Sequence, residues 1–261
     1  MKTASEHQAV LVITAAFMFF VMGVMIGPLF ALIDSTLLNF AEEIPKAMLA
    51  LFGGGDMGTP EGFYQSETFG ILAPIAVMIV TVTIGARATA TEEARNTMGL
   101  LLANPIRRST VLLQKTVTMI IYAFVVGFAT FAGVAGGSLI GGLDMSIGNI
   151  AATCLLVTLL GLAFGGLALA IGSATGRVRL GVFGAVVAAL VFHVLNSFLP
   201  LSSNENVAGL AEWTPFHFYL GGDPLNNGLD WGHAGVLVGL FLVLVAAAVV
   251  LFQRRDLRQT D

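Results

Sequence analysis

Charge is what this chain most lacks. Asp, Glu, Lys and Arg make up 11% of its 261 residues, where a soluble domain carries about 25%, so its surface is not built mainly for water. Lysine is scarcer still: Lys2, Lys46 and Lys115 are preceded by Met1, Pro45 and Gln114. A phosphate-holding P-loop needs Gly-Lys-Ser/Thr, and without any Gly-Lys pair no nucleotide site is expected on this chain. The single cysteine, Cys154, excludes an internal disulfide and a cysteine metal cluster. His, Asp and Glu do not cluster at catalytic spacing within the apolar stretches, so no catalytic, cofactor-binding or metal-binding residue is assigned. A net charge of −4 points to no nucleic-acid partner.

What the chain does have is long uncharged runs, at 7–33, 68–86, 116–143, 145–176, 180–204 and 231–253. A helix crosses the hydrocarbon core with about 20 apolar residues, and inside it every backbone N–H and C=O must be bonded within the segment. A barrel would alternate apolar and polar residues, which 116–143 does not. The expected fold is an all-α polytopic membrane protein, one transmembrane domain over 1–261. Its spans are expected at about 9–33, 67–86, 113–142, 148–172, 180–200 and 233–253. The first run exceeds a signal-peptide core of roughly 7–15 residues and reads as a permanent span.

The cations orient the bundle. With six spans both termini share a side, and every Lys and Arg except Lys46 falls on it. Cytoplasmic loops retain Lys and Arg, so both termini are expected in the cytoplasm of a multi-pass protein of the inner membrane. Most acids fall opposite, among them Asp34, Glu42, Asp56, Asp144, Glu205 and Asp230.

Between spans 2 and 3 lies TEEARNTMGLLLANPIRRSTVLLQK, residues 91–115. Thr89 with Glu92 fits a capping box, and Glu92 and Glu93 suit a helix N-terminus. Ala94, Met98, Leu101 and Leu102 recur on one face, and Pro105 stops the helix. The pattern predicts a short amphipathic cytoplasmic helix at about 91–104. Two uses stay open on physics alone: lying on headgroups, with Arg107 and Arg108 facing anionic lipid, or docking a cytoplasmic protein.

That segment resembles the signature of the ABC type-2 permeases, membrane subunits of ATP-binding cassette exporters. Glu92, Glu93, Thr97, Leu100, Leu101, Leu102, Pro105, Ile106, Arg108 and Lys115 match the family pattern, while Asn96 and Gly99 stand where Gly and Glu are usual. AEEIPKAMLALFGG (41–54), WTPFHFYLGGDPLNNGLDW (213–231) and FQRRDL (252–257) are similar to further family segments. Only MKTASEHQ precedes the first span, where relatives carry a longer basic helix, so that elbow is expected to be dispensable or upstream.

The resemblance implies that the 91–104 helix is a coupling helix seated on a separate P-loop ATPase. Glu92, Glu93, Arg95, Thr97, Met98, Leu101 and Leu102 would form that interface. It further implies two ATPase copies carrying ATP and Mg, and a second permease copy or homologous half beside this one in the bilayer. Trp213, Phe216, Phe218 and Tyr219, in a partly helical loop between spans 5 and 6, become candidates for an extracellular gate, with an interfacial aromatic belt as the alternative. Ile44, Met48 and Leu51 suggest a second surface helix.

Within the spans, His193 and Asn196 are the candidate pathway residues. Met18, Met22 and Met25 could form a soft-metal stripe or simply pack. Gly133, Gly137 and Gly141, and Gly161 with Gly165, follow small-xxx-small spacing, suited to packing within the chain or to a dimer seam. An ion-coupled secondary transporter working without an ATPase is the alternative function; His193 alone would serve as its relay.

Overall fold

A computed structural model describes residues 2–32, 45–94 and 108–254. These are helical, with no strand among them. Six helices are long and apolar enough to cross a membrane: span 1 Gln8–Ala31, span 2 Pro60–Ala88, span 3 Ser109–Gly141, span 4 Ile147–Thr175, span 5 Val178–Leu201 and span 6 Trp231–Arg254. The architecture is an all-α polytopic bundle. Arg87, Arg177, Arg179 and Arg254 mark one end of it, the basic end. Asp56, Glu61, Asp144, Glu205, Glu212 and Asp230 mark the other, the acidic end.

The bundle is built around span 4, of whose apolar window 78% is buried, with span 2 next at 67%; spans 1 and 5 lie outermost at 17% each. Glycine explains how closely spans 2 and 4 pack. In lipid, helices gain little from burying apolar surface and associate by close packing. A Cβ on Gly85 would run into the Gly165 carbonyl, and one on Gly161 into Val77. The Thr81 hydroxyl, 2.7 Å from the Gly161 carbonyl, donates across this seam. The row Gly133, Gly137 and Gly141 of span 3 lies equally close to Gly23 and Gly27 of span 1. Both glycine rows are therefore spent inside the chain.

Spans 1 and 2 each contain a π-helical stretch, Met18–Val24 and Gln65–Phe69. A π turn disturbs the i→i+4 ladder, and neighbouring hydroxyls take up carbonyls there: Tyr64 donates to Gly23 at 2.9 Å, Thr68 to Met22 at 3.1 Å and Tyr219 to Phe69 at 3.0 Å. The wider turn also breaks the methionine stripe. Met18 is buried while Met25 is exposed, so the three thioethers do not share a face.

The capping box proposed at Thr89 does not open a new helix. Leu72–Ala94 is one uninterrupted helix, because nothing from Ala86 to Ala94 is a glycine or proline that would end it. Glu92 and Glu93 therefore lie in the last turn of the span 2 helix. Arg95, Thr97, Met98, Leu101 and Leu102 fall outside the described residues, as do Ile44 and Pro105. At the acidic end Lys46–Leu51 forms a short helix, as the Met48 and Leu51 spacing suggested.

Candidate functional site

Spans 2 and 5 meet at the basic end and part above it. A Cβ on Gly181 would lie 2.9 Å from both the Ala86 Cβ and the Ala168 carbonyl, so the helices touch there. Beyond that contact, a stripe from Thr83 through Ile79 and Ile75 on span 2 faces one from Val182 through Ala185 and Ala189 on span 5. Both stripes step by three or four residues, so each is a single helix face. The alanines leave the gap unfilled, and the result is a cleft of about 650 Å³. Its lining is apolar except for Thr83 and His193, and its acidic end is roofed by Leu51, Phe52 and Phe216.

His193 sits beneath this roof. Its Nε2 is 3.1 Å from the Leu51 carbonyl; a carbonyl only accepts, so the proton is on Nε2. The ring stands 5.1 Å from that of Phe216, which packs in turn on Phe164 at 5.9 Å. An uncharged, donor-bonded imidazole is the inexpensive state for histidine at this depth. A desolvated slot of this kind accommodates apolar surface and rejects ions, because it has few groups to replace their water.

Residues 1–257 match the family model described as ABC-2 family transporter protein. The chain belongs to that family. No curated protein matches it. As an ABC-2 chain it is a multi-pass membrane component of an ABC transporter, the type of subunit that works with an ABC ATPase.

The sequence candidates of this ABC-2 chain separate in space. His193 and Phe216 meet in the cleft. Asn196, one turn further along span 5, points to the loop instead: its side-chain oxygen is 2.9 Å from the Thr214 hydroxyl, whose one proton is shared with the Ala211 carbonyl at 2.8 Å. Trp213 is 81% exposed and Trp231 78%, the positions of an interfacial belt. Phe218 packs edge-on against His217 and His233, and Tyr219 is fully buried. Of the four gate candidates, only Phe216 reaches the cleft.

Sequence reading missed the roof residues Leu51 and Phe52 and the anchor Thr214. Nothing in the local pattern of Leu51 signals its partner His193, 142 residues away. Glycine came closest to a signal: Gly53 and Gly54 have φ of +95° and +71°, a region in which other residues are strained, so a sharp turn brings Leu51 back over the bundle.

At the acidic surface His217 and His233 lie with ring centroids 5.4 Å apart. Burial pushes the His217 imidazole below its usual range; His233 adds to that and Glu212 opposes it. Asp230 accepts from the backbone N–H groups of Gly232 at 2.7 Å and His233 at 3.2 Å, which holds its carboxyl below the usual range.

Proposed function

We propose that this chain is the permease half of an ATP-driven exporter, and that the cleft between spans 2 and 5 forms one wall of its cargo pathway. The observation that carries this reading is the family match over 1–257, and the large apolar slot between two adjacent spans supports it. The basic end is taken as cytoplasmic, in keeping with retention of Lys and Arg on that side. The stretch from Glu92 to Leu102 then faces the ATPase, with Met98, Leu101 and Leu102 as its apolar anchor and Glu92, Glu93 and Arg95 setting register. Two ATPase sites closing on each other call for two such segments, hence a second permease copy or homologous half.

Co-purification with the partner ATPase tests the reading. Leu101→Asp puts a charge in the docking face and is expected to weaken association at least tenfold, at about 1.4 kcal/mol per decade, and to stop ATP-dependent transport in inverted vesicles. Undiminished association would remove this docking surface. Transport by the chain alone under an ion gradient would replace the exporter reading with a secondary transporter.

A further inference from the structure

The roof of the cleft is made differently from its walls. Its walls are spans; its roof includes the six-residue helix Lys46–Leu51 and Phe52. We infer that residues 46–51 are a hinged lid over the external mouth of the cleft, pivoting at Phe52 and latched shut by His193.

Three observations build the device. First, the hinge: the lid runs through Phe52 into Gly53, Gly54 and Gly55. Gly53 and Gly54 have positive φ, a backbone region that glycine enters without strain, so the chain turns sharply where the lid leaves span 2. Second, the fixed side of the hinge: Gln65 Nε2 donates to the Gly53 carbonyl at 2.7 Å. The missing side chains of Gly55 and Gly70 let the chain press on the Gly62 and Phe52 backbones, which seats the pivot on the top of span 2. Third, the latch: the side-chain hydrogen bond joining the lid to span 5 is His193 Nε2–H to the Leu51 carbonyl. A single hydrogen bond is worth little enough to open and close. Met48 remains exposed on the lid, so the closed form leaves this apolar side chain unburied.

The latch also ties the lid to span 5, one of the least buried helices of the bundle. The same helix holds the loop after it through Asn196 and Thr214. An outward shift of span 5 therefore carries both outer ligatures with it. This inference rests on the cleft being the cargo pathway, for which the lid is the exit.

The test uses the full chain with its ATPase partner in sealed vesicles. Met78, on the wall of the cleft, is replaced by cysteine (Met78→Cys); the native thiol Cys154 is buried and stays silent. Labelling of Met78→Cys by a small uncharged thiol reagent added on the external side is expected to rise about tenfold when His193→Ala is added, the ratio set by loss of one hydrogen bond. His193→Gln, which keeps an N–H donor, should return it towards the original rate. Separately, Leu51→Cys with Val194→Cys, bridged by a reducible bifunctional reagent, is expected to halt ATP-driven transport until the bridge is cut. An unchanged labelling rate in His193→Ala, or full transport with the lid bridged, overturns the lid. Absence of any ATP-driven transport in the unbridged chain counts against the permease reading instead, while the labelling ratio still decides the lid.

Discussion

Span 2 presents two faces of similar composition to two different neighbours, and the outcomes are opposite. Towards span 4, Val77, Thr81 and Gly85 meet Gly161 and Gly165 so closely that no Cβ fits, and a hydroxyl donates across the seam. Towards span 5, Met78, Ile79 and Thr83 line the open cleft. Hydrophobicity cannot distinguish the faces, since lipid solvates both equally well. What differs is the partner: glycines permit backbone contact, whereas alanines at 185 and 189 are too small to fill a gap and too large to close it. The closed face makes a frame, and the open one leaves a cleft.

The comparison breaks most sharply at the glycines. Gly85→Leu should cost about 3 kcal/mol or more, read as a large loss of thermal stability in detergent, because the new side chain meets backbone. Gly184→Ala meets the tip of Ile171 at 2.6 Å, a flexible end that can swing aside, and should leave the melting temperature nearly unchanged. Similar losses at both would mean that the seam between spans 4 and 5 is as tight as that between spans 2 and 4. Ala189→Phe sharpens the functional side: it fills the cleft, so transport should fail while stability changes by less than about 1 kcal/mol.

Smaller effects are expected from single hydrogen bonds. Thr81→Val should cost about 1 kcal/mol by removing the donor to Gly161. The Asn196–Thr214 pair at the outer end of span 5 should show a coupling of about 0.6 kcal/mol in a double-mutant cycle. A frame bond weaker than this loop bond would reverse the ranking of the two regions.

The smallest effect is a pH response at the acidic surface. His217 faces His233, Glu212 and, beyond the latter ring, Asp230. Its folded pKa lies below the ordinary imidazole value of about 6.5, so the unfolded chain binds the proton first. The stability it contributes is complete above that value and is lost as pH falls below it. Trp213 and Trp231 are the only tryptophans of the chain and flank this loop, so their fluorescence should titrate on the acid side of 6.5. His217→Gln should flatten the curve; an identical titration in that variant would exclude His217 as the source.

Much of this architecture was legible in the residues. Uncharged runs announced six helices, since the bilayer leaves unsatisfied backbone no alternative. The glycine rows were visible as well, though not their partners. The site was less legible. His193 stood out as an ionisable group among apolar ones, and Phe216 as one of several aromatics, but only proximity joined Phe216 to His193 in a cleft that Trp213, Phe218 and Tyr219 do not line. Thr89 misled because a capping pattern competes with simple continuation of a helix, and with no breaker nearby continuation won.

Hydropathy and charge therefore settled how many times this chain crosses the bilayer, because those are properties each segment carries alone in lipid. Which span lies at the centre, where a cleft remains, and what covers its mouth depend on distances between segments far apart along the chain. Those were decided by how closely particular backbones can approach, a quantity set by pairs of residues and therefore by the folded arrangement.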